Sequence, residues 1–258
     1  MYWIHAVIFG VVEGLTEFLP VSSTGHLILT ARLLGLSQTE GLKSFEIAIQ
    51  LGAMLAVLFL YWRSFLLQWE TLKRVLLAFL PTAAIGYLLY HVVKKYFLSG
   101  ETTALWALAV GGVILVLFDL LHREKDTAVR DITRLSAPQT LGIGTIQALA
   151  IIPGVSRSAA TILGALSLNV ERKKAVEFSF LLAVPTLFAA AALDLFKNRS
   201  TFAQNDWGML LLGGFVSFVV AILSIRLFLG FVQRQKRSFL YFGVYRLLVA
   251  LLFWVFVR

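Results

Sequence analysis

Apolar residues fill this chain in long runs separated by short polar breaks, and the lengths of the runs decide what the elements are. A helix needs roughly 17–25 mainly apolar residues to cross a ~30 Å hydrocarbon core. Six runs have that length, at about 45–62, 75–93, 103–121, 175–195, 207–231 and 239–257. Two further stretches, 6–34 and 139–168, are also apolar but are interrupted near their centres, by "LPVSSTG" in one and "IPGVSRSAAT" in the other. Proline inside a helical pattern breaks the hydrogen-bond ladder. Backbone freed in this way at membrane depth is tolerated only where protein or a water-filled cavity covers it. Both stretches are therefore expected to be re-entrant helix–loop–helix hairpins. The predicted fold class is an all-α polytopic membrane protein of six transmembrane helices plus these two hairpins.

The two interrupted stretches also match each other. A shift of 134 positions lays Gly10 on Gly144, Glu13 on Gln147, Val21 on Val155, Ser22 on Ser156, Ser23 on Arg157 and Thr24 on Ser158. A shift of 131 lays Glu46 on Glu177, each just ahead of a spanning run. The single membrane domain, 1–258, then divides into two halves, 1–121 and 139–258, each with one hairpin followed by three spans. The linker 122–138 between them carries the charged stretch "HREKDTAVRDITR". A re-entrant hairpin returns to its own side, so each half crosses an odd number of times and the second must be inverted. This is an inverted-topology repeat, whose broken helices are expected to meet near the midplane.

Composition changes the picture only by sharpening it. The chain is 59% hydrophobic and 14% charged, against about 45–50% and 25% in ordinary globular domains. Lys and Arg number 23 against 14 Asp and Glu, a net charge of +9. In a membrane protein such an excess belongs to cytoplasmic loops and anionic headgroups. No basic cluster has the form of a nucleic-acid-reading stripe, so no nucleic-acid partner is expected. The absence of cysteine removes disulfides, thiolate metal sites and cysteine nucleophiles. The first apolar run has no cationic leader and carries Glu13 and Glu17 in its middle, unlike a signal peptide. Basic residues are denser around 63–74, 123–134, 172–174 and 234–237 than on the opposite side. By the positive-inside rule the linker is then cytoplasmic, and both termini and the first hairpin face the extracytoplasmic side.

The stretch "EGLTEFLPVSSTGH" places two carboxylates, three consecutive hydroxyls and an imidazole inside the first hairpin. Glu13 and Glu17 are four apart and share one helix face. In a low dielectric they cannot both ionise unless a cation or a shared proton compensates. Oxygen-only ligands, few of them from protein, suit Mg²⁺ or Ca²⁺ shared with a phosphate group. After Pro20, "SSTG" supplies capping residues for a second half-helix, whose free N–H groups favour an anion. The counterpart "PGVSRS" supplies the same capping chemistry plus Arg157, a fixed cation with a fork of donors suited to phosphate. Single membrane hydroxyls often serve only packing, whereas Glu13, Glu17, His26 and Arg157 carry charge at high cost and are expected to be functional. Glu46, Glu177 and Asp119 lie near span ends and can reach headgroups. Arg246, midway along the last span, should pair with something internal, either substrate or a structural carboxylate.

At these residues a family resemblance appears. "VVEGLTEFLPVSSTGHLIL" and "IIPGVSRSAATILGALSL", in that order and separation, resemble the two signature regions of the undecaprenyl-pyrophosphate phosphatase family, also called the bacitracin-resistance protein family. The likeness extends to "FEIAIQLGAMLAVLFLYWR" and the closing "FGVYR". It implies an enzyme of the bacterial inner membrane that hydrolyses the C55 isoprenoid diphosphate to the monophosphate and recycles the lipid carrier of cell-wall synthesis. The family's acidic motif falls on Glu13 and Glu17, its hydroxyl and imidazole residues on Ser22, Ser23, Thr24 and His26. Its Pro-Gly-x-Ser-Arg-Ser motif falls on Pro153 through Ser158, with Thr161. The family's divalent-metal requirement agrees with the carboxylate pair.

The expected site thus has Glu17, Ser23, His26 and Arg157 as catalytic groups and Glu13 with Glu17 as metal ligands. Ser22, Thr24, Gly25, Gly154, Ser156, Ser158 and Thr161 are expected around the substrate phosphates. Ser23 is expected to attack the β-phosphorus with His26 as its base. The rival is attack by metal-bound water with Glu17 as base. The expected partners are the isoprenoid diphosphate and membrane lipids, with a homodimer left open. A transporter or flippase of a lipid phosphate is the alternative from another class, because inverted repeats with broken helices also build transporters.

Overall fold

The structure, a computed structural model, describes residues 2–96, 101–197 and 207–257. The described residues form helices α1 (Trp3–Thr16), α2 (Ser23–Leu33), α3 (Glu40–Leu67), α4 (Trp69–Tyr96) and α5 (Glu101–Leu121). After the linker come α6 (Ala137–Gln147), α7 (Arg157–Ser167), α8 (Arg172–Lys197), α9 (Trp207–Arg234) and α10 (Ser238–Val257). Six of these, α3, α4, α5, α8, α9 and α10, are long and apolar enough to cross a membrane, and each contains one of the predicted spans. The protein is an all-α polytopic membrane protein. Of the basic residues counted for orientation, Arg199 and Arg258 lie outside the described residues, as do the side chains of Lys94, Lys95 and Lys197.

Each predicted interruption separates two short helices. The chain leaves α1 at Thr16, turns through 17–21 and enters α2 at Ser22, whose hydroxyl accepts from the Gly25 N–H at 3.4 Å. In the second stretch α6 starts in a capping box. Ser136 Oγ accepts from the Gln139 N–H, and Gln139 Oε1 accepts in return from the Ser136 N–H at 3.0 Å, which satisfies donors that open a helix. A 3₁₀ turn, Ala148–Ile151, follows α6. Gly154 then adopts φ 89°, a conformation open to glycine, and Ser156 caps α7 by accepting from Ala159 N at 3.1 Å.

Helices approach closely where glycine removes the side chain. A Cβ at Gly10 of α1 would lie 2.6 Å from the Gly213 carbonyl of α9, and one at Gly144 of α6 would lie 1.8 Å from the Ala78 carbonyl of α4. α3 meets α9 the same way, with a Cβ at Gly52 falling 2.0 Å from Gly214 O. Small residues at crossings let apolar helices associate in lipid, where water does not drive them together. α3 and α8 carry the most buried spans, and their apolar faces share a core with Phe18, Phe180 and Phe228. The outer surface bears exposed Leu, Phe and Trp side chains such as Leu88, Trp106, Phe215 and Leu227, as expected of a lipid-facing wall.

Two of the carboxylates left open by the sequence are paired with basic side chains. Asp119 pairs with Arg172 at 2.7 Å and accepts from Leu240 N at 2.9 Å, which ties the end of α5 to the starts of α8 and α10. Glu177 is bridged by Lys174 at 2.6 Å on its own helix.

Candidate active site

The two helix breaks meet. Ser158 of α7 donates to the Phe18 carbonyl at 2.7 Å, and Arg157 Nη2 donates to Glu17 Oε1 at 3.3 Å. Arg157 Nη1 donates to Ser179 O at 2.9 Å, which fixes the fork against α8. On the other oxygen of Glu17 the Ser23 hydroxyl donates to Oε2 at 2.5 Å. One carboxylate therefore stands between a hydroxyl from the first break and a guanidinium from the second. The Glu17 and Arg157 side chains are 6% and 9% exposed, so this ion pair works in a low dielectric, where hydrogen bonds to charge are strong.

A cavity of about 1000 Å³ opens on this array. Glu17, Ser22, Ser23, Thr24, Ser156 and Arg157 line its polar end. It continues between α4 and α8 past Ala83, Gly86, Ala189, Ala190 and Leu193, a wall of small and apolar side chains.

Other expected residues lie around this cavity rather than on it. Gly25 packs against Leu108 of α5, and Gly154 against Ala104. Ser158 is spent on Phe18, and Thr161 donates toward Gln147 Oε1 at 2.9 Å and Arg157 O at 2.9 Å. Glu13 is wholly buried and neither of its oxygens has a hydrogen-bond partner among the described residues, while Glu17 and Glu46 are the carboxylates that interact with it electrostatically. Glu46 itself accepts from Gln38 at 3.2 Å.

His26 is not brought onto Ser23. Its Nδ1 lies 2.8 Å from Ser22 O and its Nε2 2.8 Å from the Tyr245 hydroxyl. Both ring nitrogens are engaged away from the Ser23 hydroxyl, which has gone to Glu17.

Two buried polar side chains near the array have partners that pattern reading did not supply. Gln147, 1% exposed, donates to Thr82 at 3.0 Å and to Thr186 at 3.1 Å, and so cross-links α4, α6 and α8 just beside Pro81 and Pro185. The recurring Pro-Thr pair in two apolar helices was the available signal. Arg246 is 1% exposed and donates to four carbonyls. These are Leu108 (3.3 Å) and Ala107 (2.8 Å) of α5, Pro20 (3.4 Å) of the first break and Gly154 (3.2 Å) of the second. Among the described residues it pairs with backbone oxygens of both breaks and with no carboxylate.

A divalent cation was expected at Glu13 and Glu17. Among the described residues no group of three or more His, Asp or Glu could hold a metal. The orphaned, buried Glu13 carboxylate beside Glu17 fits a hard cation that completes its shell with substrate oxygens and water, and does not fit a dedicated protein cage.

Fold and site together define a class: a polytopic α-helical membrane protein with a hydroxyl–carboxylate–guanidinium array at the head of an apolar cavity. The profile of the family described as bacitracin resistance protein BacA matches residues 6–252. Relatives named undecaprenyl-diphosphatase include one from Sulfurihydrogenibium sp., 46% identical over 255 residues that cover 99% of each chain. Those from Persephonella marina (46% identical, 98% of each chain) and Aquifex aeolicus (44% identical, 98% of this chain and 97% of the relative) carry the same name. The chain belongs to the BacA bacitracin resistance protein family.

Proposed function

We infer that the chain is an integral membrane undecaprenyl-diphosphatase. It hydrolyses undecaprenyl diphosphate to undecaprenyl phosphate and inorganic phosphate, returning the lipid carrier to peptidoglycan synthesis and conferring bacitracin resistance. The observation that carries the reading is the Ser23–Glu17–Arg157 array at one end of a largely apolar cavity that runs on between α4 and α8. A diphosphate at the array and an isoprenoid between α4 and α8 match both ends. Transport alone requires no hydroxyl poised against a base, so the alternative leaves that contact without a purpose.

In this reading Arg157 and the first N–H groups of α7 bind the terminal phosphoryl oxygens. Ser23 Oγ passes its proton to Glu17 Oε2 as it bonds to the β-phosphorus. The bond from that phosphorus to the bridging oxygen breaks, undecaprenyl phosphate leaves, and water cleaves the phosphoserine to release phosphate. Glu17 takes the role of base because it already accepts the Ser23 hydroxyl. Glu13 and Glu17 would hold Mg²⁺ or Ca²⁺, which when bound neutralises charge on the diphosphate oxygens.

The inverted repeat belongs to the same proposal. Its support is that residues matched by the sequence shift occupy matched places: Gly10 packs on the Gly213 carbonyl and Gly144 on that of Ala78, while Arg246 holds the carbonyls of Pro20 and Gly154. Gly10 and Gly144, like Pro20 and Gly154, are 134 positions apart as the shift requires, and their contact partners Ala78 and Gly213 are 135 apart. Two re-entrant hairpins account for the breaks. The cavity is lined by the later turns of α4 and α8, away from Lys73, Arg74 and Arg172–Lys174 at their starts. With those basic ends in the cytoplasm of a bacterial inner membrane, the site opens to the extracytoplasmic face.

The test is phosphate release from undecaprenyl diphosphate in detergent, with Mg²⁺, Ca²⁺ or chelator, by wild type, Ser23→Ala and Arg157→Ala. Metal-dependent release that each substitution lowers by about 10²-fold or more, roughly 2.7 kcal/mol of barrier, supports the reading. Near-normal turnover by Ser23→Ala removes the phosphoserine route, and no release by folded wild type removes the diphosphatase.

A further inference from the structure

We propose that Tyr245 is a positioning residue for the reaction. It holds His26 in one tautomer, and the His26 ring in turn braces the backbone that aims Ser23 at Glu17. The proposal rests on the diphosphatase reading for its kinetic consequence and stands on its own for its geometry.

The proton on His26 can be placed from its neighbours. Nδ1 lies 2.8 Å from the Ser22 carbonyl, which only accepts, so Nδ1 carries hydrogen. The ring is 8% exposed and contacts no carboxylate among the described residues. Arg246, adjacent to Tyr245, is already a buried cation held only by carbonyls. A second uncompensated charge there would be costly, so the ring is neutral and Nε2 is the acceptor. Tyr245 OH, 2.8 Å from Nε2, is the donor. The two rings also stack, with centroids 5.6 Å apart and planes within 6°.

The brace meets a strained residue. Ser22 has φ 72° and ψ 93°; among the described residues Asn169 is the only other non-glycine with positive φ. Such a conformation is costly and persists only where surroundings over-determine it. The Ser22 carbonyl receives two donors from one residue, the His26 N–H at 3.3 Å and Nδ1–H at 2.8 Å. Ser23 follows directly, so the orientation of the Ser22 peptide sets where its hydroxyl points. Tyr245 and His26 do not line the cavity, which fits a role exerted through Ser22 and not on the substrate.

The test uses full-length protein in detergent, with a thermal midpoint recorded for each variant. An Asn side chain places its amide N–H close to where Nδ1–H stands, while Gln places it nearer to Nε2. His26→Asn is therefore expected to recover most of the kcat that His26→Ala loses, and His26→Gln is not. Tyr245→Phe is expected to lower kcat about 10-fold at unchanged KM, the scale at which supporting partners act. It should have no further effect in the His26→Asn background, where nothing is left for the phenol to orient. ¹⁵N NMR of labelled histidine, with the His26 signal assigned by its loss in His26→Asn, should report the Nδ1–H tautomer in wild type. The proposal is overturned by an Nε2–H or doubly protonated ring, by a folded His26→Asn as inactive as His26→Ala, or by Tyr245→Phe acting equally in both backgrounds. If wild type releases no phosphate, the diphosphatase reading fails while the NMR result still decides the tautomer.

Discussion

Replacing Arg246 by Met separates stability from catalysis. Of the four carbonyls that Arg246 holds, Ala107 and Leu108 lie inside α5 and keep their helical partners. Pro20 and Gly154 lie in the two breaks and depend on it more heavily. Hydrogen bonds from a charged donor are worth about 1.5–3 kcal/mol each, so the two loop carbonyls lose roughly 3–6 kcal/mol. Against this, Met removes a buried guanidinium with no counter-charge, whose desolvation costs several kcal/mol. The two nearly cancel, and the thermal midpoint should correspond to a change of no more than about 2 kcal/mol. Catalysis has no such offset. Ser23 sits three residues past Pro20 and Arg157 three past Gly154, so loosening both carbonyls loosens both halves of the array. A misplacement on the order of 1 Å costs about 10²-fold in rate. The assay is phosphate release beside thermal unfolding in the same detergent. Arg246→Met turning over at more than about a third of the wild-type rate, less than 1 kcal/mol of barrier, would refute the reasoning, because the breaks would then hold their registry without the clamp.

Further consequences follow from single contacts. Glu17→Gln should lower turnover by about 10²–10⁴-fold, the range of general-base loss, and near-normal phosphate release by that variant would return the base to water or to His26. Gly144→Ala, whose methyl would meet the Ala78 carbonyl at 1.8 Å, should fail to fold or lose several degrees of thermal midpoint, whereas Gly230→Ala, with nothing within 4 Å, should not; equal midpoints would refute the close crossing. Asp119→Asn breaks the 2.7 Å pair with Arg172 and should cost about 3 kcal/mol of stability while leaving kcat of the folded protein intact; a kcat loss at unchanged midpoint would count against a scaffold role.

Much of this was legible because membrane helices are constrained by length and by backbone satisfaction. The six spans follow from run length, and the two breaks from Pro20 and Pro153 beside capping serines. That Glu17, Ser23 and Arg157 gather was also readable, since charge and hydroxyls at membrane depth must find one another. Which atoms pair was not. The i,i+4 spacing puts Glu13 and Glu17 on one face but cannot say that only Glu17 reaches Ser23 and Arg157. His26 is three residues from Ser23, yet its ring is claimed by Tyr245, 219 positions away. Sharing a helix face with Ser23 does not bring the His26 ring onto its hydroxyl, because the ring nitrogens go to the Ser22 carbonyl and to a phenol on α10. Arg246 was expected to find substrate or a structural carboxylate, and among the described residues finds carbonyls, because helix breaks expose acceptors that no residue pattern displays.

Under the proposed repeat, the matched positions also account for how the two halves contribute differently to the site. Glu13 and Gln147 correspond under the proposed repeat, as do Ser217 and Thr82, whose numbers differ by 135. In the second half the amide of Gln147 has two donors, which go to Thr82 and Thr186, and its oxygen accepts from Thr161. That corner is saturated and serves as a cross-link between two proline-bearing helices. In the first half a carboxylate replaces the amide and has no donors to give. Among the described residues the Ser217 hydroxyl has no hydrogen-bond partner, nor do the oxygens of Glu13. Exchanging one amide for one acid thus replaces a satisfied side chain with a buried carboxyl that has no hydrogen-bond partner among the described residues and lies beside Glu17, where a hard cation has most to offer. Glu13→Gln should restore the joint. It is expected to raise the thermal midpoint in chelator and abolish the midpoint increase that wild type shows on adding Mg²⁺ or Ca²⁺. An undiminished metal-induced shift in Glu13→Gln would place the cation elsewhere and leave the orphaned carboxylate without that explanation.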